Sequence, residues 1–499
     1  MNLAYNLERS AFFFPDRPAV IEFDRQITYK ELNERANQIA TALIRLGVNP
    51  HDRIGIYVPN SSDWIAFYFG ILKIGAIAVT FPWLYKSEEV ALLIRHTNPK
   101  MVFTKPEKLE YLRHLKDEGV LEKIICDDGD LELRRLLSMG ESNFKARDMG
   151  RRDVAAILFT GGTTGTPKGA QLTHEGIYFS SWSITYYERS NEEDRALCFL
   201  PFNHVFGQIH IMNATILSAG CLELLPSFDM DKVLWLMERG RITKFFAVPT
   251  IYVRLLRLED LEIRIGKLRY CFSAAASLPV EIVTQWKKRT GITISESYGM
   301  TEAMPVSFNH YYKHVVGSVG QIVHCVEAQI RDQMGNTLGI RKEGEICIRG
   351  PNVMNGYYDN PEANETSFHK DGFFKSGDLG YFDEQGYLYI VDRIKELIIT
   401  GGENVYPREV EEVLYTREEI EECSVIGLPD KEWGERVTAV IKIKEGKKIV
   451  EEELKNYLKS KLASYKVPKQ YIIVNELPKS PAGKILRREL REKFTEKQK

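Results

Sequence analysis

Up to about residue 317, apolar and polar residues follow two patterns, one typical of helices and one typical of buried strands. Together these patterns predict an α/β fold. Thr28 and Glu31 form a capping-box pattern, apolar residues then recur at helical spacing over 32–44, and Gly47 is a stop signal. Short apolar runs follow, typical of buried strands, and helical patterns lie between them. This order is typical of parallel sheets. The predicted strands are RIGIYV (53–58), AIAVTF (76–81), AAILFT (155–160), TKFFAV (243–248) and LRYCFS (268–273).

The pattern changes after Gly317, where short strands and glycine turns indicate a β-rich subdomain, interpreted as a small barrel. A last α+β unit follows, with predicted helices over 408–415 and 450–462 and strands at CSVIGL, TAVIKIK and YIIV. We therefore predict a large N-terminal domain over 1–391 and a small, mobile C-terminal domain over 392–499. The charged tail over 487–499 is predicted to be a solvated helix end rather than a binding arm.

Composition narrows the class of protein. The 499 residues carry 67 Lys and Arg against 69 Asp and Glu, and this balance argues against a partner such as nucleic acid or an anionic membrane. The N-terminal segment lacks the pattern of a signal peptide, and no apolar stretch reaches the roughly 20 residues of a spanning helix. The seven cysteines are scattered without a CxxC spacing. We expect buried thiols in a reducing cytoplasm, and neither a disulfide scaffold nor a zinc site.

The sharpest local signal is LFTGGTTGTPKGA (158–170), which directly follows a predicted strand. Its glycines allow the backbone to approach a ligand closely, and its hydroxyls, backbone N–H groups and Lys168 can bind phosphate oxygens. Pro167 before Lys168 and Gly169 after it differ from the Walker A pattern, and the dinucleotide pattern GxGxxG is absent. A phosphate-binding loop of another class is therefore predicted.

This loop resembles the glycine- and threonine-rich loop of the adenylate-forming superfamily, and further motifs of that family follow in order along nearly the whole chain. They are LPFNHVFG (200–207), SAAASLP (273–279), SYGMTE (297–302), GEICIRGPNVMNGYY (344–358), FKSGDLG (374–380), VDRIKELI (391–398) and PKSPAGKILRREL (478–490). The whole set is most similar to medium- or long-chain fatty acyl-CoA synthetases. The resemblance implies attack of a carboxylate on the α-phosphate of ATP, and then transfer of the acyl group from acyl-AMP to CoA.

The resemblance implies a role for each matching residue. Lys484 would neutralise the α-phosphate, and its SPAGK loop favours an exposed, mobile side chain. Thr301 would contact the α-phosphate, Glu302 and Thr160 would hold Mg²⁺, Tyr298 would stack on adenine, and Asp378 would bind the ribose. The full implied ATP and AMP set is Thr160, Gly161, Gly162, Thr163, Thr164, Gly165, Thr166, Lys168, Ala275, Ala276, Glu296, Ser297, Tyr298, Gly299, Met300, Thr301, Asp378, Ile390, Arg393, Lys395 and Lys484.

His204 is implied to gate the acyl site or to position the carboxylate, because an ionised acid needs no general base; a structural core histidine is the alternative. The implied acyl pocket is apolar, which favours an apolar monocarboxylic acid. Because Gly207 is small, it would allow this pocket to be deep. Medium-chain, long-chain and aryl acids all remain candidate substrates. The implied pocket residues are His204, Phe206, Gly207, Phe246, Val248, Ser273, Ala274, Gly299 and Ala303.

In the family, the last domain rotates about a hinge that matches Lys395, and the turn Gly401, Gly402 and Glu403 would then line the CoA tunnel. The expected partners are thus ATP, Mg²⁺, CoA and a small carboxylic acid, and the resemblance allows a homodimer. Two alternatives stay open, namely an adenylation enzyme that loads a carrier protein and a nucleotide-binding protein without turnover.

Overall fold

Four β-sheets organise the chain. The computed structural model describes residues 1–160, 167–274, 276, 278–480 and 483–496. The strands of the first half are β1 Pro18–Glu22, β2 Arg25–Thr28, β3 Arg53–Tyr57, β4 Ile77–Thr80, β5 Met101–Thr104, β6 Lys123–Ile125, β7 Val154–Thr160, β8 Lys168–Thr173, β9 Arg195–Cys198, β10 Cys221–Leu224 and β11 Lys244–Ala247. Those of the second half are β12 Tyr270–Ser273, β13 Ile294–Met300, β14 Ala303–Phe308, β15 Gln321–Ile322, β16 Glu327–Arg331, β17 Gly344–Arg349, β18 Phe374–Phe382, β19 Leu388–Arg393, β20 Ile398–Thr400, β21 Glu403–Val405, β22 Ile420–Asp430, β23 Gly434–Ile443 and β24 Gln470–Ile473.

Helices connect and cover these sheets. The α-helices are α1 Tyr5–Phe13, α2 Tyr29–Arg45, α3 Ser62–Lys73, α4 Ser87–Thr97, α5 Pro106–Asp117, α6 Leu133–Met139, α7 His174–Glu188, α8 Ala214–Leu217, α9 Met230–Glu238, α10 Pro249–Leu255, α11 Leu261–Arg264, α12 Val280–Thr290, α13 Pro361–Ser367, α14 Pro407–Tyr415, α15 Glu451–Lys461 and α16 Arg487–Glu496. A π-helix spans Phe206–Asn213, and short 3₁₀ helices span Ile394–Glu396 and Ser464–Lys466. Among the described residues, no helix combines the length and apolarity needed to cross a bilayer.

The first two sheets are mostly parallel, which confirms the predicted α/β class. The six-stranded sheet has the order β6-β5-β3-β4-β7-β8, and the nine-stranded sheet has the order β15-β14-β13-β12-β11-β9-β10-β1-β2. Their central neighbours pair in parallel, while β7–β8 and β13–β14 pair antiparallel. One large apolar core joins both sheets to α2 and α3. The predicted capping box of α2 is present, since Glu31 N–H donates to Thr28 Oγ1 and Thr28 N–H to a Glu31 carboxylate oxygen.

The third sheet is an antiparallel meander of order β16-β17-β18-β19. Within the residues that the structure describes, no backbone pairing joins β16 to β19, so the sheet stays open and the prediction of a small barrel is wrong. Closure would have required strand tilt and stagger around a full ring, which four short strands do not provide.

The fourth sheet has the order β21-β20-β23-β22, with β24 beside β23, and it has apolar clusters of its own. The tail is not the solvated helix end that we expected. Leu490 and Phe494 of α16 are buried against this sheet, and Arg487 forms ion pairs with Glu411 and Asp392. The prediction of buried thiols holds for six cysteines, whereas Cys325 is exposed.

Candidate active site

The predicted phosphate loop connects the two strands of the β7–β8 hairpin. Thr160 and Lys168 lie opposite each other at its base, and both are half-buried. Lys168 Nζ lies 5.0 Å from the ring centroid of Tyr357. The predicted contacts from Gly161 to Thr166 lie outside the described residues, as does Ala275. The hairpin therefore presents a cation and a hydroxyl at the point where the loop begins and ends.

The β13–β14 hairpin carries the SYGMTE residues towards this loop. Tyr298 is buried, and its hydroxyl donates a 2.7 Å hydrogen bond to Asp378 Oδ2. Burial, and then the charge of Asp378, raises the pKa of Tyr298 well above its usual value, so the phenol stays a donor. The rest of the predicted segment is half-buried or exposed; half-buried are Ser297, Met300, Thr301 and Glu302, and Gly299 is exposed.

Asp378 is the central anion of this region. It lies on β18 directly opposite Arg393 of β19, and its Oδ1 is 3.2 Å from Arg393 Nε. Its backbone N–H donates to Ser376 Oγ at 3.0 Å. Asp378 is 6% exposed. Its two carboxylate oxygens already have a phenol and a guanidinium as partners. Ile390, also predicted here, lies half-buried on the same β19.

Lys484 lies near the far end of the chain, and Asp378 is one of the charges that act on it. The loop that carries it closes on itself, because Ser480 N–H donates to Lys484 O at 2.8 Å and Lys484 N–H donates to Ser480 Oγ at 3.2 Å. Gly483, with φ +81°, packs so close to Val248 that a Cβ would lie 2.8 Å from a valine methyl. Lys484 is half-buried, so the expectation of an exposed lysine is wrong. The contact between Gly483 and Val248 holds Lys484 against the junction of β11 and α10.

The electrostatics of Lys484 follow from that position. Burial first, and then the positive charges of Arg393, Arg487 and Lys395, lower the pKa of Lys484 to about 8, against the opposing effect of Asp378. Lys395 itself is exposed on the 3₁₀ turn, and its pKa is lowered by desolvation and by Arg393. Arg393 pairs with Asp378, whereas Arg487 is paired with Glu411 and Asp392, so the positive charges of Lys484 and Lys395 stay available to a polyanion.

His204 is near enough to Lys484 for the charge of the lysine to act on it. The N–H of Phe206 donates to His204 Nδ1 at 3.2 Å, so the proton of the neutral ring is on Nε2. Burial, with the charge of Lys484 as a smaller cause, lowers the pKa of His204 to about 4. The imidazole is therefore neutral at physiological pH and can donate a hydrogen bond to a substrate oxygen.

The predicted acyl residues form a buried aromatic cluster. Phe206 and Phe272 have ring centroids 5.6 Å apart, and His210 lies between Phe272 at 4.1 Å and Phe246 at 5.6 Å. Val248 and Ala303 are buried beside them, and Ala274 is half-buried. Ser273 is buried with no hydrogen-bond partner for its hydroxyl. An unpartnered hydroxyl at this cluster is suited to a substrate oxygen.

Gly207 has another role than the one expected. A Cβ there would lie 2.4 Å from the carbonyl oxygen of Pro201, so the glycine allows the π-helix to pack on the preceding turn rather than deepening a pocket. Ala276 is exposed. Gly401, Gly402 and Glu403 lie in an exposed turn between β20 and β21, and the N–H of Gly401 donates to Trp433 O at 2.8 Å.

Two neighbours of the site were not singled out from the sequence. Tyr357 donates from its hydroxyl to Glu302 Oε1 at 2.8 Å, and its position within the GPNVMNGYY motif was the available signal. Glu188 forms buried ion pairs with His210 and Lys244 behind the aromatic cluster, and no local pattern indicates that network. Glu296, which was predicted, is buried; burial raises its pKa to about 8, and its Oε2 lacks a hydrogen-bond partner.

Comparison with known proteins decides the family. The AMP-binding enzyme model matches residues 7–358, and the model of the AMP-binding enzyme C-terminal domain matches residues 409–484. The chain belongs to the AMP-binding enzyme family. The predicted family is thereby confirmed, and with it the enzyme class, an acid–thiol ligase.

Several members of the AMP-binding enzyme family resemble this chain over nearly its full length. A long-chain-fatty-acid–CoA ligase of Bacillus subtilis is 33% identical and covers 98% of this chain and 94% of its own. A feruloyl-CoA synthase of an Amycolatopsis species is 32% identical, with 97% and 98% covered. The crystal structure of ATP-bound MatB from Rhodopseudomonas palustris superposes with a TM-score of 0.93 at 34% identity and covers both chains completely.

Proposed function

We propose that the protein is an ATP-dependent acid–CoA ligase that activates an apolar monocarboxylic acid, a medium- or long-chain fatty acid in the first instance. The observation that carries the proposal is the pairing of Asp378 with Tyr298 and Arg393, in a region where the charge of Lys484 acts on His204 and that of Asp378 acts on Lys484. Asp378 is a carboxylate suited to a ribose, and His204 is a neutral histidine suited to a carboxylate. This constellation fits a nucleotide and an acid held in one site.

In the first half-reaction, an acid oxygen attacks the α-phosphorus of ATP, the bond to the bridging oxygen breaks, and pyrophosphate leaves. Negative charge develops on the α-phosphate oxygens. Lys484 neutralises that charge, and Thr301 and the phosphate loop donate to phosphate oxygens. Asp378 accepts hydrogen bonds from the ribose hydroxyls, and Tyr298 lies against the base. His204 donates through Nε2–H to the acid and orients it.

Glu302 and Thr160 fit a magnesium ion as an oxygen-only donor set, since Mg²⁺ prefers a carboxylate or two together with phosphate oxygens. Tyr357 bonds one oxygen of Glu302, and the acceptor capacity that the carboxylate retains is open to a metal. When bound there, Mg²⁺ would offset the charge of the β- and γ-phosphates. Lys168 at the hairpin base would act on the same phosphates as a point charge.

In the second half-reaction, the sulfur of CoA attacks the acyl carbon, the bond to AMP breaks, and the thiol proton passes to solvent. The proposed rotation about Lys395 would move Lys484 away and bring the Gly401–Glu403 turn to the acyl-AMP. The domain limits 1–391 and 392–499, the hinge, the CoA role of this turn, a homodimer and a cytoplasmic location are parts of the same proposal.

An aryl acid is a second candidate substrate, and the aromatic cluster is the observation that favours it. Flat rings between Phe206, Phe246 and Phe272 would gain stacking contacts that an alkyl chain lacks. A feruloyl-CoA synthase among the similar proteins supports it equally. Neither candidate changes the assigned chemistry, because both acids are apolar monocarboxylates.

The test is pyrophosphate release measured against acids from C2 to C18 and substituted benzoates and cinnamates, with and without CoA. Release that follows one apolar acid and turns over only with CoA supports the proposal and names the substrate. Release without CoA-dependent turnover, rescued by a pantetheinylated carrier protein, would replace CoA with that acceptor. Absence of release with every acid would leave a nucleotide-binding protein without turnover and contradict the proposal.

A further inference from the structure

A second group of ligand-type side chains lies on the third sheet, behind the strand that carries Asp378. Glu345 and Cys347 are two residues apart on β17 and so point to the same face, and His369 follows α13. Cys347 Sγ lies 3.4 Å from His369 Nε2, and the three ligand atoms all lie within 4.8 Å of one another. Neither the phosphate loop nor the acyl cluster includes these residues.

The distances suit a tetrahedral metal ion. With Zn–S near 2.3 Å and Zn–N near 2.0–2.1 Å, a tetrahedral angle places sulfur and nitrogen roughly 3.5 Å apart. The Cys347–His369 separation is therefore already that of two zinc ligands, and the carboxylate would need to move by about 1 Å. Thiolate, imidazole and carboxylate together select Zn²⁺ over Mg²⁺, which prefers oxygen alone.

The three side chains are held in place before any metal binds. The N–H of Gly377 donates to Glu345 Oε1 at 3.0 Å, an interaction that orients the carboxylate from outside the cluster. Cys347 is buried in a paired strand. The backbone of His369 is fixed by a turn in which its N–H donates to Phe373 O and its carbonyl accepts from Gly372. His369 is half-buried, so solvent can reach the group from its side.

Charge balance is also favourable. Two anionic ligands, the carboxylate of Glu345 and the thiolate of Cys347, neutralise a divalent ion. Of the two cations nearby, Arg331 is already paired with Asp371 at 2.6 Å, and Lys375 extends from the neighbouring strand. Binding would release the thiol proton of Cys347 to solvent.

We propose that Glu345, Cys347 and His369 bind one Zn²⁺ ion, with a fourth position left for water. Such an ion would join β17 to the turn before β18, next to the Gly377–Asp378 step, and would be separate from the Mg²⁺ of the nucleotide. The alternative is a plain hydrogen bond between a neutral thiol and a neutral imidazole. The proposal does not rest on the identity of the acid or of the acceptor thiol.

The test uses the full-length protein, stripped with a chelator and then titrated with ZnCl₂ or CoCl₂. We expect one tightly bound equivalent by elemental analysis and, with Co²⁺, a thiolate-to-cobalt charge-transfer band in the near ultraviolet. Cys347→Ser should abolish the band, and His369→Gln should weaken metal binding at least about 10-fold. The matched control is Cys325→Ser, because this exposed thiol next to His324 is the obvious adventitious ligand, and its loss should leave the band unchanged.

Two results would overturn the proposal. One is the absence of the charge-transfer band in the wild-type protein at one equivalent of Co²⁺. The other is a band that titrates in His369→Gln with the wild-type affinity for Co²⁺, or that disappears in Cys325→Ser. His369 is only half-buried, so His369→Gln keeps the test decisive if Cys347→Ser fails to fold, and circular dichroism checks the fold of each variant. Activity is not a readout, so the ligase proposal and the zinc proposal can fail separately.

Discussion

Arg257 Nη2 lies 2.7 Å from Glu421 Oε1, and this ion pair joins the end of α10 to β22 of the fourth sheet. Glu421 is nearly buried and also pairs with Lys442 at 2.7 Å. Gly483 packs against Val248, which directly precedes α10, so both contacts join the α10 region to the C-terminal part of the chain. The ion pair therefore helps to hold the fourth sheet, and with it the loop of Lys484, against the α10 region.

Replacing Arg257 should weaken that arrangement. Partly exposed ion pairs contribute about 0.2–1 kcal/mol, so Arg257→Ala should slow acyl-AMP formation roughly 2- to 5-fold. Thioesterification of supplied acyl-AMP should not slow, because it needs the other position of the last domain. The two rates are measured separately by pyrophosphate release and by acyl-CoA formation. Arg254→Ala, an exposed neighbour, is the control, and equal effects of the two variants would contradict the role of the ion pair.

Tyr357 should influence the requirement for magnesium through Glu302. A hydrogen bond to a charged acceptor is worth about 1.5–3 kcal/mol, so Tyr357→Phe should raise the Mg²⁺ concentration needed for half-maximal pyrophosphate release by about 10- to 150-fold. The phenylalanine ring keeps the contact with Lys168. Tyr358→Phe, in the next position, should behave as wild type. An unchanged Mg²⁺ requirement in Tyr357→Phe would show that its hydroxyl is merely structural.

The adenylation rate should depend on the protonation of Lys484. Its pKa is lowered to about 8, chiefly by burial, and only the ammonium form can neutralise phosphate. We expect kcat/KM for ATP to be lost as pH rises through about 8, since kcat/KM reports the free enzyme. Lys484→Arg, which stays charged, should be slower but should lack this alkaline limb. The same limb in both proteins would assign it to another group.

The proposed hinge makes a separate prediction. Lys395→Pro fixes φ at this turn and should impair the transfer to CoA more than acyl-AMP formation, because in the proposed cycle only the transfer requires rotation away from the observed arrangement. Lys395→Ala removes the charge and leaves the backbone free, so any loss that is due to the cation appears in both variants. If Lys395→Pro transferred acyl groups to CoA at the rate of Lys395→Ala, the hinge would lie elsewhere.

Local elements could be predicted from the sequence, because their causes are local. The capping box of Thr28 and Glu31 and the apolar run of β7 both formed as expected. Closure of the third sheet depends on pairing between β16 and β19, which are distant in the chain. The glycine turns are local features and therefore do not indicate whether these two strands pair. The tail prediction failed for another reason. Leu490 and Phe494, four residues apart, mark a buried helix face that the many charges of α16 concealed.

The candidate site likewise has features that the sequence could predict and features that it could not. The order of the motifs predicted that Tyr298, Asp378 and Arg393 belong to one site, and the structure places them in contact. The burial of Lys484 could not be predicted, because it arises from the packing of Gly483 on Val248, two segments without a shared pattern. The bond from Tyr357 to Glu302 could not be predicted, because it joins side chains 55 residues apart that share no local pattern.

The most direct test compares the two half-reactions in Lys484→Ala, with the acid that the substrate panel identifies. Loss of one preorganised charge at the α-phosphate should slow acyl-AMP formation about 10²–10³-fold. Thioesterification of supplied acyl-AMP should proceed at the wild-type rate, since the proposed rotation moves the lysine away from the acyl-AMP before CoA attacks. Equal loss of both half-reactions, or no loss of the first, would contradict the assignment of Lys484.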